Sequence, residues 1–340
     1  MSRTLKIGIA GLGRLGRRHA QTLAWNTRHC EVVAACSPVQ AELDAARSEL
    51  GVQRTTTDFA ELVNDRELDA LVLVTPTPLH AEQAIAALEA GKHVFVEKPL
   101  ALDVADCERV QAVARRHPEL VAMVGFVRRF DPSYRSAHAA VQRGEIGRPF
   151  LVRSQTCDLH DASGAFLKFA PSSGGIFMDC SVHDVDLARW LLGNPKAVRA
   201  FASGTVALHP ELEAIGDVDN GVAIVEFDGG ARAVFYASRT MAHGHETASE
   251  VIGSAGSLTI GVGAARDRVI RRDAHGVGHA TLVDFHERFR EAFVAEMAHF
   301  VAACRGDEAP ALEVSDATEA TRIGQALMAS LRSGTVQSIA

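Results

Sequence analysis

The run GLGRLG, Gly11 to Gly16, follows directly on the apolar stretch Leu5 to Ala10, and no other feature of this 340-residue chain limits its fold so tightly. A strand that leads into glycines spaced G-x-G-x-x-G turns sharply into a helix. Gly11 permits the turn, Gly13 lets a ligand approach the backbone, and Gly16 lets the helix pack closely on the sheet. Free N–H groups and the positive end of the helix dipole favour an anion there without any basic side chain. The pattern points to the pyrophosphate of a dinucleotide.

The first third of the chain alternates apolar runs with helical patterns. Strands are predicted at Leu5 to Ala10, Val32 to Cys36, Leu71 to Val74, His93 to Val96 and Leu120 to Val124. Helices are predicted between them at Gly16 to Trp25, Gln40 to Leu50, Leu79 to Ala90 (closing on Gly91) and Val104 to Arg116. This is the pattern of a parallel α/β sheet, a Rossmann domain over residues 1–124. After Gly125 strands cluster without helices between them: Phe150 to Thr156, Ala197 to Gly204, Gly221 to Phe227, Ala231 to Ala237, Glu250 to Ile252 and Ser257 to Ile260. Residues 125–340 therefore read as an α+β domain with a large, mostly antiparallel open sheet. Two helices stand out in it, Asp179 to Leu192, closed by Gly193, Asn194 and Pro195, and Glu287 to Ala303. A cofactor domain followed by an open sheet makes a cleft.

A formal charge of −7 argues against a nucleic-acid or anionic-membrane partner, and the Arg128-Arg129 pair is too local to change that. No apolar stretch approaches the roughly 20 residues of a membrane span, and the chain enters a strand without a signal peptide's apolar region. Arg17 and Arg18, which could suggest an export signal, fall within the first helix. The expected location is the cytoplasm. Six scattered cysteines without a CxxC pair fit reduced thiols and disfavour a zinc-dependent alcohol dehydrogenase plan. The spaced pairs His243/His245 and His275/His279 lie in Gly-rich polar stretches, and no metal site is expected.

Val94 to Ala101, VFVEKPLA, puts Glu97, Lys98 and Pro99 at the end of a predicted strand, the edge where open α/β sheets bind ligands. Taken alone, Lys98 reads better as a surface lysine that happens to follow a strand. The Lys98-Pro99 bond is a candidate cis peptide that would aim the lysine into the cleft. In Ser172 to Gly193, SSGGIFMDCSVHDVDLARWLLG, Asp179 and His183 stand four apart, on one face if the segment is helical. A carboxylate beside an imidazole fixes its tautomer and raises its basicity. A helix-start aspartate and a hydrogen-bonded, half-buried histidine are the plainer reading of the same two residues. Asp184 and Asp186 read as solvated or structural.

GLGRLG, TPTPLHAEQA, EKP, GFVRRFDP and GGIFMDCSVHDVDLARWLLG occur together and in order. On these motifs the chain resembles, over essentially its full length, the glucose-fructose oxidoreductase / inositol dehydrogenase family. The last motif is most similar to that of bacterial myo-inositol 2-dehydrogenases. The resemblance implies an NAD(P)-dependent oxidoreductase that oxidises a ring secondary hydroxyl of a cyclitol to the ketone, with Lys98, Asp179 and His183 as catalytic triad. It implies cofactor contacts from Gly11, Leu12, Gly13, Arg14, Leu15, Gly16, Ser37, Thr75, Pro76, Thr77, His80, Glu97 and Lys98. Substrate contacts are implied for Lys98, Arg128, Asp158, Asp179, His183 and His245. Face-to-face association of the open sheets, as in the family, implies a homotetramer. For such a reaction His183 is the natural base, Lys98 can hold the reacting oxygen, and Asp179 can orient His183 and bind a neighbouring hydroxyl.

The chain departs from the family pattern in places. Ser37 stands where an NAD-specific member carries an aspartate on the ribose hydroxyls, and no arginine follows to suit a 2′-phosphate. NAD is favoured, with NADP left open. Val127 replaces an asparagine, Cys157 before Asp158 replaces an arginine, and His243 and His245 stand in the place of tyrosines. Since a site loses discrimination with its polar partners, the substrate is myo-inositol, another inositol, or a pyranose sugar. An NAD-dependent glycosidase and a non-catalytic sugar or dinucleotide sensor are the competing functions on this fold; the presence of both Lys98 and His183 argues against the sensor.

Overall fold

The computed structural model describes residues 4–261, 263 and 265–339. The chain separates into two compact units, residues up to Phe130 with Glu291–Thr321, and Asp131–Arg290 with the chain from Arg322 onward. The expected division into 1–124 and 125–340 falls early and misses the return of 291–321. The helix Arg290–Cys304 buries its apolar residues in the first unit, where Phe300 meets Phe95 edge-on at 5.7 Å and Phe293 meets His19 at 5.6 Å. Periodicity shows that a helix has an apolar face, but not which sheet that face covers.

The first unit holds a six-stranded sheet of β1 (Leu5–Ala10), β2 (Cys30–Cys36), β3 (Arg54–Thr56), β4 (Ala70–Leu73), β5 (His93–Val96) and β6 (Ala122–Val124). Its order is β3-β2-β1-β4-β5-β6, with every pair parallel. Central β4 is buried at every residue, as a sheet covered on both faces requires. The helices Gln40–Leu50 and Val104–Arg116 form as expected. The first helix is Arg14–Gln21, extended by a π-helical turn over Thr22–Asn26, and the third opens as a 3₁₀ turn, Thr77–Leu79, before His80–Glu89. Strand β3 and the helix Phe59–Asn64, capped by Asp58, were not expected. β3 is Arg-Thr-Thr, which carries no apolar run to announce it.

The second unit holds a seven-stranded sheet of β7 (Pro149–Leu159), β8 (Ala197–Thr205), β9 (Asn220–Phe227), β10 (Arg232–Met241), β11 (Glu246–Gly253), β12 (Gly256–Ile260) and β15 (Gln337–Ser338). β13 (Ala265–Asp273) and β14 (Gly276–Thr281) form a separate hairpin. The order β12-β11-β7-β10-β9-β8-β15 is antiparallel throughout except for the parallel pair β7/β10. Burial alternates along β9 and β11, so one face is covered and the other is turned outward. The helix Val182–Leu192 packs on β7 and β10, while Phe201, Val222 and Ile224 stand exposed.

The single expected helix Asp179 to Leu192 is instead two, Ile176–Asp179 and Val182–Leu192. Between them the Cys180 and Ser181 amides both donate to the Ile176 carbonyl, at 2.9 and 3.3 Å, so the chain keeps turning without a regular ladder. Likewise Glu287 to Ala303 resolves into Phe285–Arg288 and Arg290–Cys304. Helices Pro132–Gln142 and Val314–Ser333 were not expected. Among the described residues no disulfide forms, and no helix is long and apolar enough to cross a membrane.

One buried polar cluster was not foreseen. His19 Nε2 lies 2.7 Å from Glu97 Oε1, and ligand-capable atoms of His19, Glu97 and Glu296 all lie within 4.8 Å of one another, fully inside the first unit. Burial, and then the charge of Glu97, push the Glu296 carboxyl well above the ordinary glutamate value of 4.5, favouring its protonated form. Neither Glu296 oxygen has a hydrogen-bond partner among the described residues, so protonation spares the interior a second uncompensated charge. The unfolded chain releases the proton above about 4.5, so this group makes stability fall as pH rises through and beyond that value. Glu296→Gln, which fixes the neutral state, is expected to gain on the wild type as pH rises above about 5, by up to about 1.4 kcal/mol per pH unit until the folded carboxyl itself ionises. Urea denaturation at three pH values measures it; a constant difference would show that Glu296 ionises in the folded protein.

Candidate active site

The glycine turn joins β1 to the helix Arg14–Gln21 in the first unit. Gly11 has φ +85°, and a Cβ there would lie 2.4 Å from the Val74 carbonyl oxygen; a Cβ on Gly16 would lie 1.9 Å from the Gly11 carbonyl oxygen. These two glycines are demanded by the fold itself. At Gly13 an added Cβ would meet nothing within 4 Å, and Gly13 as N-cap supplies no side-chain acceptor for the first amides of the helix. An open space in front of donor groups at a helix start fits a dinucleotide pyrophosphate. Leu12 is buried, Arg14 is exposed and Leu15 is half-buried.

The remaining cofactor candidates stand at the ends of neighbouring parallel strands. Ser37 follows β2, is 1 % exposed, and donates from Oγ to Glu42 Oε2 at 2.5 Å. After β4, Thr75 Oγ1 donates to Gln83 Oε1 at 2.6 Å, Pro76 precedes the 3₁₀ turn, and Thr77 is buried. His80 is buried with Nδ1 2.8 Å from the Pro99 carbonyl and Nε2 2.7 Å from the Thr75 carbonyl, tying the loop after β4 to the loop after β5. Burial lowers its pKa against the pull of those carbonyls, and a neutral ring has one N–H to divide between them. Glu97 is turned inward to His19 and accepts the Lys98 amide at 3.1 Å. The Lys98-Pro99 bond is cis, as its place in the motif led us to expect, and Lys98 is half-buried. Arg128 is buried in the turn Val127–Phe130 of the same unit.

The second unit gathers Asp158, Asp179 and His245. Register places Glu246 of β11 opposite Cys157 of β7, so His245, just ahead of β11, meets Asp158: Nδ1 lies 2.9 Å from Oδ1. Cys180 Sγ lies 3.9 Å from Asp158 Oδ2 and 4.0 Å from Asp179 Oδ2, linking the two carboxylates. His183 is half-buried in the first turn of Val182–Leu192, one turn beyond Asp179. His243 is exposed and pairs with Glu246 at 3.2 Å. Asp184 is fully buried and accepts the Ser154 and Thr156 hydroxyls, both at 2.6 Å, and Asp186 is buried too. Of their two readings the structural one holds.

Sequence reasoning missed Arg239. Near the end of β10 and 6 % exposed, it donates to Asp179 Oδ2 at 3.1 Å and to Asp217 Oδ2 at 3.0 Å, while Asp217 Oδ1 accepts the Ile176 amide at 2.9 Å. Although burial alone would lower its pKa, the negative charges around it raise it overall, so it stays a cation. Asp179 is thereby fixed from behind. No motif marks an arginine 60 residues away along the chain.

Residues 5–126 match the family model described as "Oxidoreductase family, NAD-binding Rossmann fold", and residues 134–259 match the GFO/IDH/MocA C-terminal domain. The chain is 37% identical to the scyllo-inositol 2-dehydrogenase (NAD(+)) of Bacillus subtilis, over 98% of this chain and 96% of that one. It is 33% identical to the myo-inositol 2-dehydrogenase of Thermotoga maritima, over 96% of each. The crystal structure of scyllo-inositol dehydrogenase from Lactobacillus casei, with bound cofactor NAD(H) and scyllo-inositol, superposes with a TM-score of 0.95 at 37% identity over 99% of both chains.

Two pairs of substitutions separate scaffold from site. Gly16→Ala is expected to lower thermal stability sharply, because its methyl meets backbone, whereas Gly13→Ala leaves stability within about 1 kcal/mol and weakens dinucleotide binding. Calorimetry and fluorescence titration give both quantities; equal effects at the two positions would contradict the assignment. Arg239→Met leaves buried Asp217 unpaired and is expected to cost about 3–5 kcal/mol in urea denaturation, with Arg239→Lys in between.

Proposed function

The chain belongs to the GFO/IDH/MocA oxidoreductase family, and from that membership we propose that it is an NAD-dependent inositol dehydrogenase, oxidising one ring secondary hydroxyl to the ketone. The observation that carries this reading is full-length likeness to enzymes named as scyllo- and myo-inositol dehydrogenases, together with the open glycine turn. Bound NAD supplies the hydride acceptor; the residues of the chain bind, orient and move the proton. His183 is the base that takes the hydroxyl proton, its pKa range being suited to that task. Lys98 holds the reacting oxygen and stabilises the negative charge that develops on it. Asp179, braced by Arg239, orients His183 and accepts from a neighbouring hydroxyl. Gly11 to Gly16, Ser37, the Thr75 to Thr77 segment and the backbone of the Glu97-Lys98 loop form the cofactor side; His80 holds those loops together. Arg128, Asp158 and His245 bind the remaining hydroxyls.

The exposed Phe201, Val222 and Ile224 of the open sheet support self-association, and a homotetramer located in the cytoplasm is part of this reading. Light scattering is expected to give four times 36.3 kDa; a monomer mass would reject the tetramer.

A panel of scyllo-inositol, myo-inositol, other inositols and pyranoses, each with NAD and with NADP, decides the reaction by absorbance of the reduced nicotinamide. An inositol with NAD is expected to give the highest kcat/KM. Turnover of pyranoses alone, or sugar release from a glycoside without net NADH, would reject the reading. His183→Ala is expected to lower kcat about 10²–10⁴-fold with dinucleotide affinity unchanged; undiminished turnover would remove His183 as base.

A further inference from the structure

We propose that Glu42 is the residue by which this chain discriminates NAD from NADP. The inference rests on the dinucleotide reading above and adds a residue to it. At the carboxyl end of the second strand a Rossmann domain meets the adenosine ribose, and an acid there accepts the 2′-hydroxyl and repels a 2′-phosphate. This chain has Ser37 at that position, whose neutral hydroxyl repels nothing.

The hydroxyl is not turned outward. The Val39 amide donates to Ser37 Oγ at 3.1 Å, and Ser37 Oγ donates in turn to Glu42 Oε2 at 2.5 Å. Glu42 lies in the first turn of the helix Gln40–Leu50, half-buried, and among the described residues its other carboxylate oxygen accepts no hydrogen bond. A full negative charge is thus drawn to the end of β2 from five residues downstream, with one oxygen left for a hydroxyl donor. The surroundings carry the same sign: the Cys36 thiol is pushed up to about 11, first by burial and then by the charges of Asp58 and Glu61. A ribose 2′-hydroxyl can donate into such a field, whereas a phosphate dianion is repelled by it. Cations on the helix Arg14–Gln21 oppose this. Arg17 is engaged with Glu49 at 2.5 Å; Arg14 and Arg18, on the same helix, are the rival determinants.

A purely structural Glu42, bracing the loop through Ser37, predicts a different result for a neutral isostere. Glu42→Gln keeps an acceptor for the Ser37 hydroxyl and removes only the charge; Glu42→Lys reverses it. Binding of NADH and NADPH to the full chain without substrate, by nicotinamide fluorescence, is the primary readout, with the kcat/KM ratio for NAD and NADP as the second. The wild type is expected to bind NADH at least tenfold more tightly. Glu42→Gln should narrow that ratio about tenfold and Glu42→Lys further, with melting temperatures close to wild type. An unchanged ratio in Glu42→Gln overturns the proposal while the dinucleotide reading stands. A wild type that favours NADPH also overturns it, and points to the cations of the helix Arg14–Gln21. A wild type that binds neither dinucleotide overturns the proposal and the reading beneath it together.

Discussion

The first unit depends on the nesting of Gly16 against the carbonyl of Gly11. A Cβ at position 16 would stand 1.9 Å from that oxygen, so the helix Arg14–Gln21 can press against the exit of β1 only because nothing projects there. That contact fixes where the helix begins, and so where its unpaired amides lie. With every pair of the sheet parallel, the carboxyl ends of β1, β2, β4 and β5 share one edge. The glycine turn, Ser37, Thr75 and Lys98 are therefore neighbours by topology, although up to 87 residues separate them in sequence. His80 tightens that arrangement by bonding the loops after β4 and β5 to each other.

In the second unit the organising device is buried charge. Asp217, Arg239 and Asp179 form a chain that begins at the Ile176 amide and ends at the carboxylate expected to face the substrate. Charges removed from water cost several kcal/mol each unless satisfied as a set, and removing any member leaves the others exposed to that cost. The stability of the interior and the orientation of Asp179 are thus one quantity. The same logic holds for Asp184, whose two oxygens take the hydroxyls of Ser154 and Thr156 and so seat the helix Val182–Leu192 on β7.

What the sequence disclosed follows from the range of the interactions concerned. β1 and β5 and the helices Gln40–Leu50 and Val104–Arg116 agree with expectation to the residue, because apolar runs, caps and glycine stops are local signals. The helix Pro132–Gln142 carries such a signal too, Asp131 capping before Pro132. Val314–Ser333 is less legible: between Val314 and Ile323 it buries only Ala317, Thr318, Ala320 and Thr321, and its large apolar contacts, Ile323, Leu327 and Met328, lie from its midpoint onward. The return of 291–321 to the first unit, the break at Cys180-Ser181, Arg239 and the His19-Glu97-Glu296 cluster had no legible cause in sequence. Apart from that break, which the Ile176 carbonyl shapes locally, each is decided by a partner dozens or hundreds of positions away.

The departures from the family pattern gain a physical meaning from the same long-range pairing. By the family resemblance His245 stands in the place of a tyrosine, and its Nδ1 lies 2.9 Å from Asp158 Oδ1. Nε2 is buried and has no partner among the described residues. A phenol can give and take a hydrogen bond at one oxygen, whereas the free nitrogen of an imidazole does only one of the two, according to whether it carries a hydrogen. A buried polar nitrogen left unmatched costs about 1–3 kcal/mol, so on the proposal that His245 binds a substrate hydroxyl, this position would select by the direction of that hydroxyl. That form of selection suits isomers of a neutral polyol, which differ only in the direction each hydroxyl points.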